Sequence, residues 1–352
     1  TGGGRVGDAE GVGVPPWGLA SGPGGGPVRE WTHTTPLGTL GQRLRPVDRA
    51  GVYVPGGRAT YPSSVLMNTI PALVAGVPEV AVVSPAQPDG KLPAGVLVAA
   101  RILGITEIHK IGGAAAAAAM AFGTDSIRRA DVLVGPGNRY LTEAKRQLWG
   151  RIGLDGFAGP SEVCVVADET ANPAWAAADL LSQIEHAPDN QGWLICTDQP
   201  TYNKIQDEIE NQTESAPRRE ILRESLAQVV VFITENREQI AEILNVLAPE
   251  HLTLSVQDPE GLSCKVRNAG CILLGDHTPE SAGDYVLGPS HTLPTAGAAR
   301  FSSPLNVMHF LKFQSVSRLT PEGLAELAPA IETIGKLEGF PAHAAGATIR
   351  HS

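Results

Sequence analysis

The chain has 352 residues, 42% of them apolar and only 5% aromatic, with a formal net charge of −10. That length suits two ordinary domains whose cores are built from Ala, Val, Leu and Ile. The acidic balance excludes nucleic acid as a main partner, because phosphate contacts need a basic face, and no apolar run reaches the length of a membrane span. In chain order, residues 1–35 are Gly- and Pro-rich (TGGGRVGDAEGVGVPPWGLASGPGGGP) and are expected to be a disordered head. Structure is expected from GQRLRPVDRAGVYVPGG onward. EVAVVSP (79–85) reads as a strand and LPAGVLVAARILG (92–104) as a helix stopped by Gly104. A strand at EIHKIGG, a helix through the alanines, a strand at DVLVGPG (131–137) and a helix at RYLTEAKRQLW (139–149) follow.

The alternation then repeats. EVCVVAD (162–168), GWLICTD (192–198), QVVVFIT (228–234), HLTLSV (251–256) and GCILLGD (270–276) read as strands. PAWAAADLLSQIEH (173–186), the charged stretch 200–227 and REQIAEILNVLA (237–248) read as helices. Residues 277–304 show little apolar periodicity and are long for a linker, which favours a functional loop. Residues 305–352 read as one or two helices and an end segment, EGFPAHAAGATIR. Two successive units of alternating strand and helix predict an α/β fold of two doubly wound domains. Cys164, Cys196 and Cys271 lie in apolar runs, and with Cys264 they form no C-x-x-C pair. They read as small thiols of a cytoplasmic protein, in keeping with the absence of a visible signal peptide.

No G-x-G-x-x-G follows the first strand of either unit, so the usual dinucleotide-binding fingerprint is absent. Three other Gly-rich strand ends occur instead, VPGGR (54–58), KIGGA (110–114) and VGPGN (134–138). Glycines there let backbone N–H groups approach a phosphate at a helix N-terminus, although left-handed turns need glycine in any case. LLSQIEHAPDNQ (181–192) closes an apolar helix with Gln183 and His186, three apart and on one face. Glu250 and His251 are adjacent where a helix gives way to a strand, which we place at the carboxyl-side rim where α/β sheets bind ligands. Asp284 and His291 lie in the long loop, and His343 follows Glu338 by five. A Gln–His–Asp–His set offers nitrogen and oxygen donors that suit Zn²⁺; for each residue a capping or core hydrogen bond is the other reading.

Together these stretches resemble the histidinol dehydrogenase family. The matching segments are YVPGGRATYPSSVLM, AFGTDSI, VGPGNRYLTEAKRQ, AGPSEV, DLLSQIEH, PEHL, GDHTPESAGDYVLGPSHTLPT and EGFPAHAAGATIR, in family order from residue 41 to 350. The resemblance implies two-step, NAD-dependent oxidation of L-histidinol to L-histidine through the aldehyde, by a homodimer with one Zn²⁺ per subunit. It implies two incomplete Rossmann-like domains, one over 53–162 on the NAD side and one over 36–52 plus 163–305. A helical tail over 306–352 would reach the partner subunit. Zinc ligation is implied for Gln183, His186, Asp284 and His343, and acid–base roles for Glu250 and His251. Substrate contacts are implied for Ser161, Glu338 and His251 alongside the metal ligands, and NAD contacts for Tyr53 and Asn138. The role of His291 stays open.

Two departures stand out. Family members usually carry Gln after GGA, in contact with NAD, where this chain has Ala115. They also usually carry a helical segment ahead of QRLRPVDR, where this chain is Gly-rich. The competing readings are a related dehydrogenase acting on another alcohol, such as a sulfonated diol, and a catalytically silent paralogue. Glu338 argues against the first, since a sulfonate would want a basic residue there. The complete acid–base and ligand set argues against the second.

Overall fold

In the computed structural model, which describes residues 30–56, 60–234 and 236–350, strand and helix alternate as the patterning predicts. Two strands precede that alternation: β1 (Glu30–Thr35) and β2 (Gly38–Pro46), paired antiparallel. The first parallel sheet comprises β3 (Arg49–Tyr53), β4 (Glu79–Val83), β5 (Glu107–His109), β6 (Val132–Val134) and β7 (Gly153–Leu154), in the order β5-β4-β3-β6-β7. Its helices are α1 (Pro62–Ala75), α2 (Ala94–Ile102), α3 (Gly113–Phe122) and α4 (Arg139–Leu148).

The second parallel sheet comprises β8 (Glu162–Ala167), β9 (Gln191–Cys196), β10 (Val230–Ile233), β11 (His251–Ser255) and β12 (Cys271–Leu274), in the order β10-β9-β8-β11-β12. Its helices are α5 (Pro173–Ile184), α6 (Gln199–Ser215), α7 (Arg219–Leu226), α8 (Arg237–Leu247), α9 (Pro259–Ser263) and α10 (Glu280–Tyr285). Both sheets place their first strand in the middle and reverse direction beside it, the doubly wound order without a sixth strand. Period-2 alternation explains the burial of both faces. On β8, Val163, Val165 and Ala167 pack with Leu180, Ile184 and Ile205, while Cys164 and Val166 pack on the other face with Ile240, Leu244 and Leu252.

β13 (Leu311–Leu319) pairs antiparallel with β2. Two helices follow, α11 (Pro321–Leu337) and α12 (Pro341–Thr348). The chain divides into two compact units: Val47–Phe310, which carries both parallel sheets, and the residues up to Pro46 together with those from Leu311 on.

Several expectations are corrected. Of the head expected over 1–35, residues 30–35 form a strand, and the remainder lies outside the described residues. Residues 36–52 do not join the second sheet, because β2 lies in the antiparallel sheet and β3 is the central strand of the first parallel sheet. The tail is not wholly helical, since a 3-10 turn (Val307–Phe310) leads into β13, and its end segment carries α12. The charged stretch 200–227 is broken between α6 and α7, where Pro217 denies the helix an N–H donor. The segment 277–304 contains α10. No helix among the described residues is long and apolar enough to cross a membrane.

Candidate active site

His251 is the first residue of β11, and Glu162 is the first of β8, the strand beside it. The site therefore lies at the amino-terminal edge of the second sheet, and the expected carboxyl-side rim is corrected. The reason is geometric. A helix that returns between parallel strands delivers its C-terminus to the strands' amino ends, so a helix-to-strand junction such as Pro249–Glu250 must lie there. The last turn of α5, with Gln183 and His186, arrives at the same edge. Asn172 caps the start of α5 by accepting from the N–H groups of Ala174 and Trp175, with Pro173 in the first turn.

The Nδ1–H of His251 donates to the Glu162 carbonyl at 3.1 Å. In the neutral ring this leaves Nε2, 3.6 Å from Oδ1 of Asp284, as the acceptor; in the imidazolium it is a second N–H turned to that carboxylate. Oε2 of Glu250 accepts the Glu162 N–H at 2.8 Å and lies 3.7 Å from Nδ1 of His251. Gln183 donates from Nε2 to Oδ2 of Asp284 at 2.8 Å, so each of the two keeps one oxygen outside that bond. Asn190 links the Gln183 carbonyl, to which it donates at 2.8 Å, with the Ser161 N–H, from which it accepts at 3.1 Å. Gln183, Glu250 and His251 are buried, whereas His186 at the helix end is exposed.

Burial pushes the Glu250 carboxyl up to about 7, against the attraction of His251. Burial works against the charge of His251 as well, but the Glu250, Asp284 and Glu280 carboxylates outweigh it and raise the imidazole to about 10. Asp284 is also opposed by burial; its contacts with His251 and Gln183 hold it below the usual carboxylate range. His186 is lowered, chiefly by loss of hydration, against the pull of Asp284 and Glu185. His291, whose role was open, has its Nε2 buried without a hydrogen-bond partner among the described residues. Asp284 and His251 both act on its charge, so it belongs to the same locus.

A second locus lies at the carboxyl edge of the first sheet, at the point where the strand order reverses between β3 and β6. Gly135 has φ +113, and a Cβ there would stand 2.1 Å from the Tyr53 carbonyl oxygen. Tyr53 is buried, and its hydroxyl accepts the Gly113 N–H at 3.0 Å. The side chain of Asn138 accepts from the N–H groups of Tyr140 and Leu141 and so caps α4. Both residues with implied NAD contacts thus shape the loops of this edge. α3 begins at Gly112 and Gly113 without a side-chain cap, and Ala115 is exposed in its first turn. In VPGGR, Gly57 and Arg58 lie outside the described residues.

Glu338 and His343 belong to the other unit. Glu338 ends α11, and His343 lies on α12 with its ring 5.3 Å from that of Phe340. Among the described residues no three His, Cys, Asp or Glu side chains converge as a metal-holding group. The larger unit brings Gln183, His186 and Asp284 to one edge with Glu250 and His251, but it does not contain His343. Sequence reasoning missed Glu162 and Asn190, whose hydrogen bonds hold His251, Glu250 and Gln183, and Glu280, which is bonded to Thr253 on the same strand as His251. Glu162 stands within the quoted segment AGPSEV, yet nothing in its spacing marks a backbone carbonyl as a histidine partner.

The arrangement can hold a nitrogen- and oxygen-rich small molecule beside a buried acid–base pair, in the same unit as a Gly-lined edge at the reversal of strand order. The family model described as histidinol dehydrogenase matches residues 27–351. The histidinol dehydrogenase of Synechococcus sp. is 48% identical over 88% of this chain and 72% of its own length. That of Gloeobacter violaceus is 46% identical over 92% and 73%. The crystal structure of histidinol dehydrogenase from Elizabethkingia anophelis superposes with a TM-score of 0.88 at 38% identity, covering 91% of this chain and 75% of that one. An acetylating aldehyde dehydrogenase from Geobacillus thermoglucosidasius, 18% identical with a TM-score of 0.54 over 79% of this chain and 76% of its own, shares the fold alone. On that family model, these relatives and the shared fold, the chain belongs to the histidinol dehydrogenase family.

Proposed function

We propose that this protein oxidises L-histidinol to L-histidine through the aldehyde, in two NAD-linked steps that depend on Zn²⁺, as a cytoplasmic homodimer. The observation that carries the reading is His251, tied through Nδ1 to the Glu162 carbonyl with Nε2 turned to Asp284 and Glu250 beside it. Gln183, His186, Asp284 and His343 are the zinc donors; nitrogen and oxygen ligands with no thiolate suit that ion and a substrate bearing imidazole and amine nitrogens. Tyr53, Asn138 and the uncapped start of α3 form the NAD side. Zn²⁺, when bound, holds and polarises the substrate, and NAD accepts two electrons in each oxidation.

The protein's own residues supply binding and proton transfer. Ser161, Gln183, His186, His251, Asp284, Glu338 and His343 contact the substrate, with Glu338 pairing its ammonium group. His251, once its raised imidazolium has lost its proton at alkaline pH, takes the alcohol proton at Nε2, because Nδ1 is committed to the carbonyl. Glu250, raised to about 7 by burial, is a stronger base than an ordinary carboxylate. It deprotonates the water that adds to the aldehyde before the second oxidation. Glu338 and His343 complete the site of a second copy, which makes dimerisation a condition of activity. The unpaired state of all four cysteines agrees with a reducing compartment. The test is turnover of L-histidinol with NAD before and after chelation: two NADH per histidinol are expected, lost with a chelator and restored by Zn²⁺.

A further inference from the structure

α5 and α10 face one another with polar side chains at matching intervals. α5 presents Asp179 and Gln183, four apart; α10 presents Glu280 and Asp284, also four apart, so each pair lies on one helix face. The pairs meet as two rungs. In the outer rung Gln183 donates to Asp284 at 2.8 Å. In the inner rung the Glu280 N–H donates to Oδ1 of Asp179 at 3.1 Å. The inner rung continues into the sheet, where the Thr253 hydroxyl donates to Oε1 of Glu280 at 2.6 Å. Thr253 lies two residues beyond His251 on β11, on the same face of the strand. Glu280 is fully buried, Thr253 likewise, and Asp179 nearly so.

A buried carboxyl is costly unless it is hydrogen-bonded; here Oε1 of Glu280 is bonded to Thr253, and Oε2 has no partner among the described residues. α10 has six residues and no side-chain cap at Pro279, so it has little stability of its own. Asp179 supplies the acceptor that the helix start lacks, and Thr253 fixes the side chain that follows. We infer that Glu280 is a positioning residue, and that the buried Asp179–Glu280–Thr253 rung sets the register of α10 against α5 and β11 so that Asp284 meets both Gln183 and His251. The functional consequence rests on the zinc reading above; the register itself does not. Burial holds the Glu280 carboxyl up at about 7 and Asp179 at about 6, in keeping with a rung that works in its protonated or hydrogen-bonded form.

The test uses the full-length protein with Glu280→Ala, Glu280→Gln and Thr253→Val. Zinc affinity is read by competition with a chromophoric chelator. Hydrogen exchange of the 280–286 segment is read on the metal-free protein, with circular dichroism reporting the fold. Glu280→Ala is expected to weaken zinc about 10–100-fold, the range for groups that orient metal ligands, and to speed exchange in 280–286 while the sheets stay protected. Glu280→Gln keeps an acceptor for Thr253 and is expected to bind zinc like the wild type, with wild-type exchange. Thr253→Val should move both readouts in the direction of Glu280→Ala. If Glu280→Ala fails to fold, Thr253→Val carries the test. Unchanged zinc affinity and unchanged exchange in the folded variants would overturn the proposal, as would equal losses in Glu280→Gln and Glu280→Ala. If the wild type binds no zinc, the zinc reading fails and the exchange arm alone decides the register.

Discussion

His251 and Glu162 stand side by side at the starts of neighbouring parallel strands, and the imidazole Nδ1–H of one is bound to the backbone carbonyl of the other at 3.1 Å. In the neutral ring the backbone thereby selects the tautomer whose Nε2 accepts a proton. His251→Gln is expected to lower kcat for histidinol by about 10²–10⁴-fold, the usual worth of a positioned acid–base group. Zinc content should stay at the wild-type level, because His251 is not among the donors. Steady-state kinetics with metal analysis checks this; near-normal turnover would remove His251 from the chemistry.

Glu250→Gln separates the two oxidations. The amide oxygen can still accept the Glu162 N–H that Oε2 of Glu250 accepts now at 2.8 Å, so the local backbone should hold. With the base gone, water addition slows while the alcohol step continues. Rapid mixing should show the first equivalent of NADH forming at close to the wild-type rate and the second delayed by about 10²-fold or more. Equal slowing of both equivalents would contradict the division of labour.

The buried pair of Lys145 and Asp155 supports the Gly-lined edge of the first sheet. Lys145 donates to the Gly135 carbonyl at 2.6 Å and to Asp155 at 2.7 Å, while Asp155 accepts the Gly135 N–H at 2.7 Å. Both side chains are almost wholly buried. Lys145→Met leaves a buried carboxylate without its cation and is expected to destabilise the protein by about 3–5 kcal/mol. The double variant with Asp155→Asn should lose less than the sum of the single losses. Chemical denaturation measures all three; additive losses would show that the pair is not coupled.

The pH dependence of the metal-free protein has a definite sign. Glu250 and Glu280 are raised to about 7 and Asp179 to about 6, all first by burial. The folded state keeps these protons where the unfolded chain has released them. Their contribution is therefore fully present below about pH 4 and is lost as pH rises toward 7. His251, raised to about 10 by its carboxylate neighbours against burial, contributes below about pH 6.5 and loses that contribution as pH climbs toward 10. Asp284, which is lowered, acts the other way at the acid end. His186 and His291, lowered chiefly by burial, also act the other way, losing their contribution as pH falls below about 6.5. The Tm after chelation should therefore fall from pH 7 to pH 9, where only the raised groups still titrate. A flat or rising Tm over that range would contradict the raised state of His251 and the buried carboxyls.

Much of the second sheet was legible because its strands are continuous apolar runs bounded by breakers, and Pro173 and Gly104 mark helix ends directly. The antiparallel sheet was not legible. EWTHTT carries no apolar alternation, and its partners come together from opposite ends of the chain. The proposed donors Gln183, His186 and Asp284 came from the resemblance. Their edge of the sheet was misplaced because the helix-to-strand junction at Glu250 was assigned to the carboxyl-side rim, whereas a returning helix delivers such a junction to the strands' amino ends. The inner rung could not be read at all, since Asp179 and Glu280 are 101 residues apart and neither sits in a pattern that distinguishes it from an ordinary helix carboxylate.

Product stoichiometry tests the central claim most directly: NADH formed per L-histidinol consumed by the purified protein at alkaline pH, with and without a chelator. The account predicts two NADH per histidinol, abolished by chelation and recovered with Zn²⁺. A folded dimer that binds zinc yet forms no NADH from histidinol would contradict it and would direct attention to another alcohol and to Ala115.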